Sequence, residues 1–279
     1  MGSFEGEIRG EGWSVDCATV QGGIRLVISS ARPRGSGSSV LLSQEQSRAV
    51  HRLLGRALGA LDRRRPSGTG RAGGWIDICE LWDATDESVW NNAIAEYWRR
   101  SDAGKNAELE RSMDKLKLER LRRMSPQEWY LFLRDEYFRW KFTAPNRYTT
   151  TTGELAKWNP GRLEQLDALR EQLLKKSADL KAMLKIADSI PGLGAAGASG
   201  LLALMYPREF ATVDQFAVKA LTKLGRHSQV AKMNPKSLTI NNAVTLIQIM
   251  RDKAQENRRR FRSSRWTPRM IDMALWVCR

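Results

Sequence analysis

The residues with the clearest chemical reading are Pro191-Gly192-Leu193-Gly194, within the segment 186–206, IADSIPGLGAAGASGLLALMY. The pattern predicts a helix ending at Ile190, a four-residue turn, and a second helix starting near Ala195. Gly192 and Gly194 allow backbone conformations closed to other residues and a close approach to a ligand. The start of the second helix offers unpaired amides and the positive end of a helix dipole. Such an amide cluster grips a phosphate without reading a base. The competing reading is an ordinary αα-corner whose glycines serve only as caps. Ile186, Ile190, Leu193, Ala198, Leu201 and Leu202 stand where they would pack the two helices together, and this favours the phosphate reading.

The charge balance points the same way. Lys and Arg total 46 against 31 Asp and Glu, a formal charge of +15 over 279 residues, which suits a polyanionic partner. Cys17, Cys79 and Cys278 are odd in number and widely spaced, so no disulfide framework follows. His51 and His227 leave too few ligands for a structural zinc site, and no metal or other cofactor is expected. No nucleotide-binding glycine loop follows a strand. No apolar run reaches the roughly 20 residues that cross a bilayer. The first residues lack the apolar core of a signal peptide. The expected place is the cytoplasm, on the nucleoid if the source is bacterial.

With Val213-Asp214 downstream, the hairpin resembles that of the helix-hairpin-helix DNA glycosylase superfamily. That superfamily includes endonuclease III and the 8-oxoguanine and alkylbase glycosylases. The resemblance is carried by Ile190-Pro191-Gly192-Leu193-Gly194, then Val213-Asp214, 18 residues after Ala196, and then Lys219; it spans about 181–225. It implies DNA contact by Pro191, Gly192, Leu193, Gly194, Ala195, Ala196 and Lys219, and a catalytic role for Asp214. In isolation Asp214 reads first as a helix N-cap; the hairpin upstream tips it toward catalysis, and the two roles are compatible. Base excision passes through an oxocarbenium-like sugar, which a carboxylate stabilises while it orients water, once the base is flipped out of the stack. Bifunctional relatives place a lysine in the hairpin; residues 195–198 here are Ala-Ala-Gly-Ala. The resemblance therefore implies a monofunctional DNA N-glycosylase without lyase activity that leaves an abasic site. Its expected partner is double-stranded DNA carrying a damaged or modified base, bound as a monomer. The four-cysteine motif of the iron–sulfur relatives is missing, with only Cys278 in that region. Candidate base-pocket residues are Trp140, Phe142, Asn146, Arg147 and Tyr148, although Trp129, Phe132 and Trp140 at helical spacing are more often core, which leaves 146–148 the better candidates. Two rivals remain: a non-catalytic helix-hairpin-helix DNA clamp, and a basic helical adaptor.

The elements that must position these residues form a mainly α fold. A glycosylase-like helical core is expected over 71–279, with a small α+β addition over 1–70. In that addition Trp13–Val20 and Ile24–Ser30 read as a β-hairpin, and Ser43 with Gln46 opens a helix carrying Val50, Leu53, Leu54, Ala57, Leu58 and Leu61. The addition would widen the DNA contact or admit a bulky base, such as a hypermodified phage base removed in antiviral defence. Linkers fall at 31–39 and 63–74. Helices are expected over Trp82–Trp98, Ala107–Met124, Ser125–Trp140, Leu163–Lys176, Leu180–Ser189, Asp214–Leu224, Asn241–Asn257 and Thr267–Cys278. The stretch 141–159 reads as a long polar loop. Arg258, Arg259, Arg260, Arg262 and Arg265 form a basic run suited to phosphates or to solvent.

Overall fold

The computed structural model describes residues 76–278 and the backbone of 5–10, 13–20 and 23–30. The chain divides into two compact units, 1–73 and 74–279. In the first, β1 (Glu5–Gly10), β2 (Trp13–Val20) and β3 (Gly23–Ser30) pair antiparallel in the order β1-β2-β3. The register sets Gly10 opposite Trp13 and Val20 opposite Gly23. The helix expected after Ser43 lies outside the described residues.

The described residues of the second unit form helices joined by turns and loops, and none of these helices is long and apolar enough to cross a membrane. Local signals set many of the boundaries. Ser125 and Glu128 close a capping box, with Pro126 at the first helical position of α5 (Pro126–Leu131). The helix runs on through a π-helical segment, Phe132–Tyr137, into α6 (Phe138–Lys141). After it come α8 (Leu163–Leu174), α9 (Leu180–Asp188), α10 (Gly194–Met205) and α11 (Gln215–Leu224), which ends on Gly225 at φ +70. The short α12 (Ser228–Ala231) precedes α13 (Ile240–Phe261), and Thr267 caps α14 (Pro268–Val277).

Three expectations change. The stretch Trp82–Trp98 is two helices, α1 (Ile78–Asp83) and α2 (Glu87–Asp102), because Ala84 turns extended and the Asp86 carboxylate caps a new start by accepting from the Ser88 amide at 2.8 Å. Ala107–Met124 is likewise α3 (Ala107–Asp114) and α4 (Leu118–Arg122), separated by an extended Lys117. The polar loop contains a helix, α7 (Pro145–Ala156). Its threonines are poor helix formers in isolation. Here their hydroxyls donate to carbonyls one turn back: Thr149 to Pro145 at 3.0 Å, Thr150 to Asn146 at 2.9 Å and Thr152 to Tyr148 at 2.7 Å.

The core is aromatic, with Trp90, Trp129 and Trp266 fully buried. Edge-on contacts join Trp90 to Trp266 at 5.8 Å. Helix α10 is enclosed by its neighbours: Ala195 and Gly197 through Met205 are all buried. Its first half packs closely because Gly197 and Gly200 carry no side chain. A Cβ at Gly197 would meet Leu193 and Phe142 at 3.0–3.2 Å, and one at Gly200 would lie 2.8 Å from the Tyr137 hydroxyl.

The two hairpin glycines have different demands. Gly192 has φ +88, and a Cβ there would lie 2.5 Å from the Thr151 carbonyl oxygen of α7; Gly194 has φ +60 and open space. Gly192→Ala is therefore expected to destabilise by about 2–4 kcal/mol, and Gly194→Ala by about 1 kcal/mol. Urea unfolding of both variants checks this; equal losses would contradict the packing of α7 on the hairpin.

Candidate functional site

The hairpin is rigid beneath and open above. Ile190 and Leu193 are fully buried, and the Leu193 amide donates to the Ile190 carbonyl at 3.2 Å. Leu193 is the N-cap of α10 and offers no side-chain cap. The Gly197 amide donates to the Leu193 carbonyl at 3.2 Å, whereas among the described residues the amides of Gly194, Ala195 and Ala196 have no acceptor. Pro191 and Gly192 are half-buried, Gly194 is exposed, Ala195 is buried and Ala196 half-buried. The amide array of Gly194 to Ala196 carries the positive end of the α10 dipole and is free to bind an anion.

Asp214 is the N-cap of α11: its Oδ1 accepts from the amides of Phe216 at 2.8 Å and Ala217 at 3.0 Å. Its Oδ2 accepts no hydrogen bond from the described residues. One side chain couples this carboxylate to the hairpin. The Ser199 hydroxyl, completely buried, donates to the Ala196 carbonyl at 2.9 Å and accepts from the Val213 amide at 2.9 Å. The first turn of α10 and the residue before Asp214 thus share one hydroxyl.

Behind Asp214 lies a buried charge network that the sequence did not disclose. Arg269 of α14 donates to Asp272 at 2.8 Å, to the Thr212 hydroxyl at 3.2 Å and to Glu110 of α3 at 3.3 Å. Glu110 also accepts from the Tyr97 hydroxyl at 2.5 Å and from Trp140 Nε1 at 2.6 Å. Arg269 Nε is buried and has no hydrogen-bond partner among the described residues. Burial opposes the Arg269 charge, but Tyr97, Asp272 and Glu110 outweigh it and raise its pKa. Burial pushes the Asp272 carboxyl up to about 6 against the lowering effect of Arg269, and Asp214 adds to the rise. Lys141 of α6 is drawn into the same field by Asp214 and Asp272. Clustered perturbed charges of this kind concentrate at functional sites. A signal was present in the sequence: Arg269 and Asp272 stand three apart inside an otherwise apolar helix, PRMIDMALWV.

The expected base-pocket residues divide. Trp140 is buried, bonded to Glu110 and 5.7 Å from the Tyr137 ring, so it belongs to the core. Phe142 is buried against Phe138 at 5.5 Å and approaches Gly197, and the Arg147 guanidinium lies 5.5 Å from its ring. Phe142 and Arg147 therefore stand beside the hairpin. Asn146 is exposed, its Oδ1 accepting from the Arg147 amide at 2.8 Å, and the Tyr148 hydroxyl donates to the Arg134 carbonyl at 3.2 Å. These last three residues lie in α7 rather than in a loop. Lys219 is exposed on α11, 5.8 Å from the Phe216 ring. In the basic run, Arg258 holds the Trp266 carbonyl at 2.6 Å and Arg260 the Ala84 carbonyl at 3.1 Å, so these two brace the corner between helices. Concavities of about 570 and 540 Å³ flank α13, and neither is lined by Asp214 or the hairpin. The converging amides and buried charges make the hairpin face the stronger candidate.

The raised Asp272 value has a consequence for stability. The folded chain binds this proton more tightly than the unfolded chain does. The resulting stabilisation is complete below the ordinary value of 3.8 and is lost as pH rises through about 6. Asp272→Asn is uncharged throughout. Its stability relative to wild type is expected to improve from about pH 4 to about pH 7 in paired urea melts, and a constant difference would contradict the assignment.

No protein-family model, curated protein or solved structure matches the chain.

Proposed function

We propose that the chain is a DNA N-glycosylase that clamps a phosphate with the amides of Gly194, Ala195 and Ala196, flips a damaged or modified base, and excises it with Asp214. The observation that carries this reading is the Ser199 bridge. It ties the unpaired amides to Val213, so an anion held at the hairpin and the carboxylate at Asp214 keep a fixed relation. Asp214 Oδ1 is spent on the helix cap, while Oδ2 is left for a cationic sugar or a water. Arg147 borders the hairpin over the buried Phe142 ring and supplies a donor for an everted base. The hairpin has no amine, so excision is hydrolytic and yields an abasic site. Hypermodified bases of phage DNA are one substrate class to include in the test.

The cap bonds of Asp214 favour a second reading, a DNA clamp in which the carboxylate only starts a helix. Asp214→Asn separates the two, because asparagine caps a helix about as well as aspartate. Wild type and variant are compared on duplexes with alkylated, oxidised, mispaired and hypermodified bases, scoring free base and alkali-labile sites. Base release is expected to fall by about 10²–10⁴-fold while duplex affinity stays within a few-fold. Tight binding by both proteins with no release from any duplex would establish the clamp instead.

A further inference from the structure

A hollow of about 540 Å³ is lined by α1, α12 and α13, away from Asp214 and the hairpin. Its size is that of a small-molecule site. Trp82 of α1 with Val244 and Ile249 of α13 forms the apolar wall. His227, the N-cap of α12, stands edge-on to Trp82 with the ring centroids 6.4 Å apart, so two rings meet at a corner. The His227 Nε2 is buried and has no hydrogen-bond partner among the described residues, a costly arrangement that calls for an explanation. The polar wall is made of Gln229 of α12 and Thr245, Gln248 and Asp252 of α13. Gln229 is exposed, and its side-chain amide makes no hydrogen bond with the described residues. Asp252 Oδ1 accepts from Gln248 Nε2 at 2.7 Å, whereas Oδ2 accepts nothing from the described residues and pairs with no cation among them.

The charge around the hollow selects its occupant. Lys253 is buried in its wall, where the amine donates to the Trp82 carbonyl at 2.6 Å and pairs with Glu256 at 3.1 Å. Arg226 pairs with Asp83, and Arg260 with Glu256 at 2.7 Å. Burial and then Arg226 hold the His227 ring below its ordinary pKa of 6.5, against the effect of Asp252, so the ring is neutral at about pH 7. An anion entering here would meet the Asp252 carboxylate and no unpaired cation among the lining residues; Arg259 lines only the adjoining concavity. A neutral flat ring finds partners instead. A glutamine amide matches a ring nitrogen beside an exocyclic amine in two hydrogen bonds, and a carboxylate accepts from such an amine. We propose that this hollow binds a neutral heteroaromatic base with an exocyclic amine next to a ring nitrogen, the pattern of adenine and cytosine. The site is separate from the hairpin and Asp214, and the proposal does not rest on the glycosylase reading.

The test titrates the full, isotope-labelled chain with adenine, purine and adenosine monophosphate and follows NMR signals. Adenine is expected to shift the Trp82 indole and the Gln229 and Gln248 side-chain amides saturably, with a Kd of about 0.1–1 mM, the range open to a ligand of its size. Purine lacks the amine and is expected to bind about 10-fold more weakly, and the nucleotide no more tightly than adenine. Asp252→Ala, at an exposed position, is expected to weaken adenine binding by about 10-fold. Should the variant fail to fold, the comparison of ligands on wild type decides alone. Purine binding as tightly as adenine overturns the proposal, as does a nucleotide that binds more tightly or an unchanged Kd in folded Asp252→Ala. So do adenine shifts at Gly194 to Ala196 instead, or none in the hollow up to the solubility limit of adenine. Base excision by Asp214 stands under each of these results.

Discussion

The first half of helix α10, Gly194 to Gly200, meets the rest of the protein with small side chains or none. Ala198 and Ser199 are completely buried, and added methyl groups at Gly197 or Gly200 would collide with Phe142 or with the Tyr137 hydroxyl. Close-packed interiors tolerate little change in volume, so this spacing is fixed by sterics. From it follow the direction of the amides at the N-terminus of α10, the approach of α6 across its middle, and the reach of Ser199 to Val213. A bulkier helix would hold the hairpin and Asp214 further apart.

The network around Arg269 works against that economy. Burying Arg269 and Asp272, with Glu110 half-buried beside them, costs desolvation energy that a packed apolar cluster would avoid, even with each charge paired. Tyr97, Trp140 and Thr212 supply the hydrogen bonds that make the burial tolerable. The network joins α2, α3, α6 and α14 immediately behind the connector that ends in Asp214. Buried charge of this kind is uncommon in a fold shaped for stability alone, and under the proposed function it would hold a fixed field beside Asp214.

What could be read from the sequence was what depends on neighbours along the chain. The Pro191–Gly194 turn, the Asp214 and Thr267 caps, the Ser125-Pro126 start and the Gly225 stop are each decided within a few residues. The charge network was not legible, because Tyr97, Glu110, Trp140 and Arg269 converge only through tertiary packing. Helix α7 escapes the sequence pattern for a related reason: its threonines satisfy their hydroxyls by back-bonding, and its Thr151 carbonyl packs on Gly192, which propensity does not foresee. Gly192 itself carried two meanings. Its conformation suited a phosphate turn, yet its missing side chain makes room for α7, while Gly194 faces open space.

The central claim is that the free amides of α10 and the carboxylate of Asp214 engage the same stretch of DNA. Amide hydrogen exchange, with and without a duplex carrying a stable abasic-site analogue, tests it most directly. The account predicts added protection at Gly194, Ala195 and Ala196 together with the first turn of α11. Protection confined to the concavities along α13, or none at the hairpin under saturating duplex, would contradict it.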